Sequence, residues 1–199
     1  MIIFDLDQTL IDTIPVKYYE DKNGLNVLNG LNGLNTLNNK SRSFSSNEEL
    51  LSNIELRPYI KELFDYLNTN NFEYSFWSLG DYEYVKTILT YIEKLFLINP
   101  IFILARKDDF FFIDLISKKE IPIFYTNGIM IKKINSLYPY FLYLNPKKLI
   151  LVDDNINNIL NNNNNNVYHI SDWYSYNIND IELNNFKHIL YFLRLYSNY

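Results

Sequence analysis

The sequence predicts a three-layer α/β domain with a mainly parallel sheet and helices on both faces, and three observations carry that expectation. Two apolar runs, one opening the chain and one at 148–152, each end in closely spaced carboxylates, Asp5-x-Asp7 in the first and Asp153-Asp154 in the second. Between them strand-like and helix-like segments alternate, the pattern of parallel strands joined by crossover helices. The carboxyl ends of such strands are where open α/β sheets build their ligand sites.

Residues 2–4 form the first strand. After Asp12 and Thr13 the pattern dissolves into a short-period repeat of Asn, Gly and Leu over about 23–39, followed by a Ser-rich stretch at 41–46. Together these read as a low-complexity insertion at about 23–46 that buries no core. Order returns at Arg57-Pro58, where proline opens a helix over 59–67 with Ile60, Leu63, Phe64 and Leu67 on one face. A strand follows at 72–77. Asp81 or a neighbour caps the next helix, in which Val85, Ile88, Leu89, Ile92, Leu95 and Phe96 recur at helical spacing and belong to the core.

Short apolar runs at 101–105, 110–113, 121–125 and 129–131 read as strands or a small inserted sheet, in an order that periodicity does not fix. Residues 148–154 form a second buried strand and 167–170 a short one. A closing helix at about 181–196 carries Leu183, Phe186, Ile189, Leu190 and Leu193. A second biased tract, Asn161 to Asn166, lies between a helix and a strand. The heavy use of Asn, Ile, Lys, Tyr and Phe suggests an A/T-rich coding sequence, so both tracts read as mutational bias and not as a binding surface.

At 199 residues with 48% hydrophobic and 17% aromatic content, the chain reads as one domain over 1–199 with an ample core. A net charge of −5 argues against a nucleic-acid partner. With no cysteine, thiol catalysis and thiolate metal sites are excluded. His169 and His188 are the only histidines, so any metal should be a hard cation held by oxygen, and magnesium is the natural choice. The first strand at residue 2 leaves no room for a leader peptide, and the apolar stretch from Leu95 to Leu104 is short and holds Asn99 and Pro100. The expected protein is soluble and intracellular, nuclear or cytoplasmic, with no membrane partner.

Two acids crowded at a strand's carboxyl end repel each other unless a cation or a shared proton offsets the charge. Asp5 and Asp7 therefore read either as a solvated acidic turn or as a metal-assisted nucleophile. Four elements should meet at one sheet edge: Asp5 with Asp7, Ser78 after the strand at 72–77, a lysine near 132, and Asp153 with Asp154. Phosphoryl transfer through a phospho-aspartate needs these parts: a carboxylate nucleophile, a second acid to protonate the leaving oxygen and then activate water, a magnesium ion, and a hydroxyl and an ammonium for the phosphoryl oxygens.

On these residues the chain resembles the haloacid dehalogenase superfamily, whose four motifs appear in order as 4–10 (Phe-Asp-Leu-Asp-Gln-Thr-Leu), Ser78, Lys132 and 152–155 (Val-Asp-Asp-Asn). Within it the likeness is to the FCP/SCP type, the NLI-interacting-factor-like protein phosphatases, and covers 1–13 and 56–196. That branch shows Arg-Pro-Gly before a helix, Phe-Thr-Ala-Ser followed by Glu-Tyr-Ala, a Val-Lys-Asp-Leu lysine motif, and an acidic pair. Here these look like Arg57-Pro58-Tyr59, Trp77-Ser78-Leu79-Gly80 with Glu83-Tyr84-Val85, Ile131-Lys132-Lys133-Ile134, and Asp153-Asp154. Its closing pattern resembles Trp173, Asp180, Glu182-Leu183 and Phe192-Leu193. Tyr59 stands where the family has glycine, and Ser78 where it more often has threonine.

The resemblance implies a Rossmann-like domain of the capless type, with Asp5 as nucleophile and Asp7 as general acid/base. It implies Thr9, Ser78 and Lys132 at the phosphate, Thr9 also orienting its loop, and magnesium held by Asp5, Asp7 (through its backbone carbonyl), Asp153 and Asp154. Lys132 and Lys133 are adjacent, so only one can face the pocket from an extended segment, and register favours Lys132. Arg57 and Arg106 read as solvated or backbone-bonding. A capless site favours a phosphoprotein, with phosphoserine or phosphothreonine in an extended segment as substrate. Two other readings stay open: the same chemistry on a small molecule or a polynucleotide end, and a non-catalytic phosphoprotein-binding scaffold, against which the presence of both Asp5 and Asp7 counts. The oligomeric state is not legible.

Overall fold

A computed structural model describes residues 1–13, 47–145, 148–162 and 167–197. The repeat tract at 23–46 lies outside the described residues, as does the core of the second Asn tract. The chain runs through β1 (Ile2–Phe4), β2 (Ile11–Asp12), α1 (Asn47–Ser52), β3 (Glu55–Leu56), α2 (Ile60–Thr69), β4 (Tyr74–Asp81), α3 (Tyr82–Leu95) and β5 (Ile103–Arg106). It continues through β6 (Phe111–Asp114), β7 (Glu120–Pro122), β8 (Phe124–Thr126), β9 (Ile129–Ile131), a 3-10 turn (Ile134–Leu137), β10 (Ile150–Asp153), α4 (Ile156–Leu160), β11 (Val167–His169) and α5 (Glu182–Ser197).

Seven strands form one sheet in the order β11-β10-β1-β4-β5-β6-β7. The first five run parallel, and β6 and β7 extend the sheet as antiparallel strands. Strands β2 and β3 pair separately, as do β8 and β9. These last pairings supply the order that the apolar runs at 101–131 left open. From β1 the chain winds outward through β4 and β5, then returns to the opposite side of β1 to lay down β10 and β11. The switch in winding direction falls between β1 and β10, the place where open α/β sheets form their crevice.

Side chains alternate across the sheet, and the alternation sorts the core into two layers. Ile2 and Phe4 face one layer with Leu63, Phe64 and Leu67 of α2, Val85, Ile88 and Ile92 of α3, and Phe186 and Leu190 of α5. The Phe64 ring anchors it, 5.6 Å from Phe4 and 5.8 Å from Phe76. Ile3 and Leu151 face the other layer, where the 3-10 turn and the segment after it supply Ile134, Leu137, Phe141, Leu144 and Leu149. Phe141 stacks on Phe102 at 4.7 Å.

Local signals placed most boundaries. The four apolar residues expected on α2 are all buried, and the Asp81 side chain accepts from the Tyr84 N–H at 3.0 Å to cap α3. Three residues expected in the core are exposed instead: Leu95, the last residue of α3, at 47%, and Ile189 and Leu193 of α5. Only about one stripe of each helix meets the sheet, and these positions fall off it. Among the described residues no helix is long and apolar enough to cross a membrane.

Candidate active site

Register alone brings two of the expected acids together. Phe4 pairs with Val152 on β10 and with Phe76 on β4, so Asp5 is the next residue out on β1 and Asp153 the next on β10. The Asp5 N–H still donates to the Val152 carbonyl at 2.9 Å, which carries the strand one residue further. Both carboxylates thus leave the sheet at its carboxyl edge, beside the winding switch.

Lys132, directly after β9, is buried and reaches the same point. Its Nζ bonds Asp5 Oδ1 and lies 2.8 Å from Asp153 Oδ2. Lys133 faces solvent, its ammonium over the Phe124 ring at 5.5 Å. The adjacent lysines are therefore divided as an extended segment requires.

Asp153 is fully buried and saturated with donors. Its Oδ1 accepts from the Asn155 N–H at 2.8 Å and from Asn158 Nδ2 at 3.0 Å, while its Oδ2 accepts from Lys132 Nζ and, at 3.0 Å, from the same Asn158 nitrogen. Asp154, partly exposed, accepts instead from the Thr9 hydroxyl at 2.9 Å. The single Thr9 proton is committed to that contact, and the side chain is wholly buried.

Asp5, Asp153 and Asp154 each offer one carboxylate oxygen within 4.8 Å of the others. Burial pushes Asp5 well above the ordinary carboxylate range; Lys132 pulls it back, while Asp153 and Asp154 push it further. Burial, and then Asp153, raise Asp154 to about 6, with the Thr9 hydrogen bond opposing. Burial disfavours the Lys132 ammonium, yet Asp153 and Asp5 outweigh it and hold the group charged above its usual value. A cluster of three acids facing one ammonium is short of positive charge, and its all-oxygen donor set suits a hard divalent cation such as magnesium.

Asp7 sits in a different network. Half-buried, it accepts from the Tyr84 hydroxyl and, at 3.4 Å, from Thr13 Oγ1, and the Tyr84 and Thr13 oxygens are themselves 3.1 Å apart. The Tyr84 ring reaches it by passing over Gly80, where a Cβ would stand 2.6 Å from Tyr84 Cδ1. Ser78 is buried on β4, one strand over from β1, and its Oγ accepts from the Gly80 N–H at 2.9 Å.

The loop from Asp5 to Leu10 is pinned from outside. Arg57, 1% exposed, donates to the Gln8 and Thr9 carbonyls at 3.2 and 3.1 Å and grips Asp180. The Trp173 N–H donates to the Gln8 carbonyl at 2.8 Å, and the Ser175 N–H to Asp12 Oδ2 at 2.8 Å. Arg57 is thus the backbone-bonding residue expected. Arg106 closes β5 in register with Asp81. Residues the sequence did not single out are Asn158, on Asp153, and His169, whose Nε2 lies 3.1 Å from the Asp154 carbonyl. No spacing or motif marked either, since one sits amid asparagines and the other ends a three-residue strand.

The family described as NLI interacting factor-like phosphatases matches the chain over residues 1–198. No curated protein matches it. Among solved structures, a HAD-superfamily hydrolase from Ehrlichia chaffeensis is similar at 16% identity over 85% of each chain, with a TM-score of 0.46.

Proposed function

The chain belongs to the NLI interacting factor-like phosphatase family, and from that premise we propose that it hydrolyses phosphate monoesters through a phospho-aspartate on Asp5, with phosphoserine or phosphothreonine in a protein as substrate. The observation that supports this most is the contrast between two carboxylates two residues apart. Asp5 is buried against an ammonium, whereas Asp7 is half-buried and held by hydroxyls. Two acids in two environments can take two roles.

In this reading an Asp5 oxygen bonds to phosphorus as the bond to the leaving oxygen breaks, and Asp7 gives its proton to that oxygen. Asp7 then takes a proton from water, whose oxygen attacks the phosphorus and returns Asp5 as a carboxylate. Lys132 has three N–H donors, and with Asp5 and Asp153 taking two, the third remains for a phosphoryl oxygen. Ser78 supplies a hydroxyl from β4. Magnesium, when bound by Asp5, Asp154 and the Asp7 carbonyl, neutralises charge between attacking carboxylate and phosphate. We assign Asp153, whose oxygens already accept four hydrogen bonds from three donor groups, to anchoring Lys132, and Thr9 to orienting Asp154.

For the substrate, the support is architectural. Among the described residues, only α1, β3 and α2 intervene between β2 and β4, and only short antiparallel strands and a 3-10 turn between β5 and β10. A large substrate can bring its own cover to such an open edge. The test is magnesium-dependent release of phosphate from a panel of phosphopeptides, nucleotides and sugar phosphates, run beside Asp5→Asn. Highest turnover on phosphoserine or phosphothreonine peptides is expected. Preference for sugar phosphates or polynucleotide ends would overturn the substrate, and binding of phosphopeptide without turnover would overturn the reaction.

A further inference from the structure

Lys132 arrives at the site from outside the main sheet, on a segment that no strand of that sheet pairs. Its backbone is held by side chains instead. The Lys132 N–H donates to Asn158 Oδ1 at 2.9 Å, the Lys132 carbonyl accepts from Asn162 Nδ2 at 2.6 Å, and the Ile134 N–H donates to Asn162 Oδ1 at 2.8 Å. Two asparagines four residues apart lie on one side of the α4 turn, and between them they satisfy the donors and acceptor that a neighbouring strand would otherwise take. Asn162 also donates to the Asn158 carbonyl at 2.6 Å, tying the two together.

Asn158 does a second thing with its other end. Its buried Nδ2 straddles both oxygens of Asp153, the carboxylate that receives the Lys132 ammonium. One side chain thus fixes both ends of Lys132, the backbone through its oxygen and the ammonium through Asp153. Only an amide has both a donor and an acceptor in that fork. Aspartate would set a carboxylate against Asp153, and an apolar residue would leave a buried N–H and a buried carboxylate short of a partner.

We propose that Asn158 and Asn162 are positioning residues, an asparagine clamp that sets the Lys132 ammonium where it meets the phosphoryl group. This rests on the functional reading above, since it assigns the clamp to a lysine that binds phosphate. It also gives a defined role to part of the Asn-rich tract, because Asn162 belongs to the stretch that composition alone assigns to mutational bias.

The test is a double-mutant cycle on the full chain, read as the affinity for inorganic phosphate by calorimetry with magnesium present, and as kcat and KM on an aryl phosphate. Asn158→Ala should weaken phosphate by about tenfold or more, as expected for a lost hydrogen bond to a charged group. In a Lys132→Ala background the same substitution should add little, because the group being positioned is gone. Asn162→Ala should act in the same direction and more weakly, and Asn161→Ala, whose amide among the described residues bonds the Asn157 carbonyl, should leave phosphate affinity unchanged. Should Asn158→Ala fail to fold, Asn162→Ala carries the cycle. Losses that multiply across the two backgrounds, or unchanged phosphate affinity in both asparagine variants, overturn the clamp. A wild-type protein that binds phosphate through the clamp yet turns over no ester would overturn the functional reading alone.

Discussion

Arg57 meets Asp180 through two parallel hydrogen bonds of 2.9 Å, Nε to Oδ1 and Nη2 to Oδ2, across 123 residues of sequence. Its third nitrogen carries the contacts to the Gln8 and Thr9 carbonyls. One buried guanidinium therefore ties the loop that follows β1 to the segment that leads into α5. Removing one partner of such a pair leaves a buried charge uncompensated, at a cost of about 3–5 kcal/mol. Arg57→Ala should lower stability by that order in denaturant unfolding, and Arg57→Lys, which cannot reproduce the fork, by somewhat less. A change under about 1 kcal/mol for Arg57→Ala would mean that the pair is not what holds the loop.

Tyr59 offers the opposite experiment, a substitution that should help. It precedes α2 with φ at 67°, the left-handed region, where the resembling family has glycine. A side chain there costs about 1–2 kcal/mol, offset in part by the greater freedom glycine brings to the unfolded chain. Tyr59→Gly should therefore raise stability by about 0.5–1 kcal/mol, read as a higher melting temperature. A lower melting temperature would show that the Tyr59 ring contributes more by packing than its backbone loses.

The two acids of the first motif should separate by leaving group. Asp5→Asn should abolish turnover on every ester, because an amide is a poor nucleophile. Asp7→Asn should reduce turnover on phosphoserine peptides far more than on an aryl phosphate, whose leaving oxygen needs little protonation. Equal losses on the two substrates would remove Asp7 from the acid/base role, and Asp5→Asn activity within about tenfold of wild type would remove Asp5 as nucleophile.

The acidic cluster predicts how stability and metal binding follow pH. Asp154 titrates near 6 in the folded chain, above an unfolded carboxylate near 3.9. Between those values the folded state binds more protons than the unfolded one, so metal-free stability falls as pH rises through the window, and the deficit is complete above about 6. For a partly exposed group the loss is about 1 kcal/mol after solvent screening. Asp5 is raised in the same direction. Thermal unfolding without metal should show the decline between about pH 4 and 6, and Asp154→Asn should reduce it. Magnesium should remove the deficit at pH 7, and the concentration needed should rise as pH drops below about 6, since protons compete for the ligands. Metal-free stability that rises across this window, in wild type and variant alike, would contradict the assignment.

Much of this was legible in the chain because the signals are local. Residues 2–4 and 148–152 announce buried parallel strands, and the acids that follow them are placed by register alone. The cap at Asp81, the buried face of α2 and the choice of Lys132 over Lys133 likewise follow from spacing. What could not be read depends on tertiary partners. The order of β5 to β9 is fixed by pairings that short apolar runs do not encode, and Leu95, Ile189 and Leu193 are exposed because a helix buries only the stripe that meets the sheet. Thr9 and Asp153 stood in the sequence as hydroxyl and acid, but their neighbours decide that Thr9 donates to Asp154 and that Asp153 accepts from three donor groups. Asn158 and Asn162 were hidden by their own abundance: among so many asparagines, none stands out until its hydrogen bonds are seen.

The sheet's two flanks bear on the behaviour of the protein at high concentration. A sheet grows by adding strands to whichever backbone row is left open at its rim, and long, flat rims recruit other chains. Here the outermost strands, β11 and β7, are three residues each, and β7 ends in Pro122, which has no N–H to offer a newcomer. Glu120 on the same strand is paired with Lys107 at the surface, so the rim also carries charge. In a chain this rich in β-forming aromatic and branched residues, the two flanks of the described sheet thereby offer little template for stacking copy upon copy.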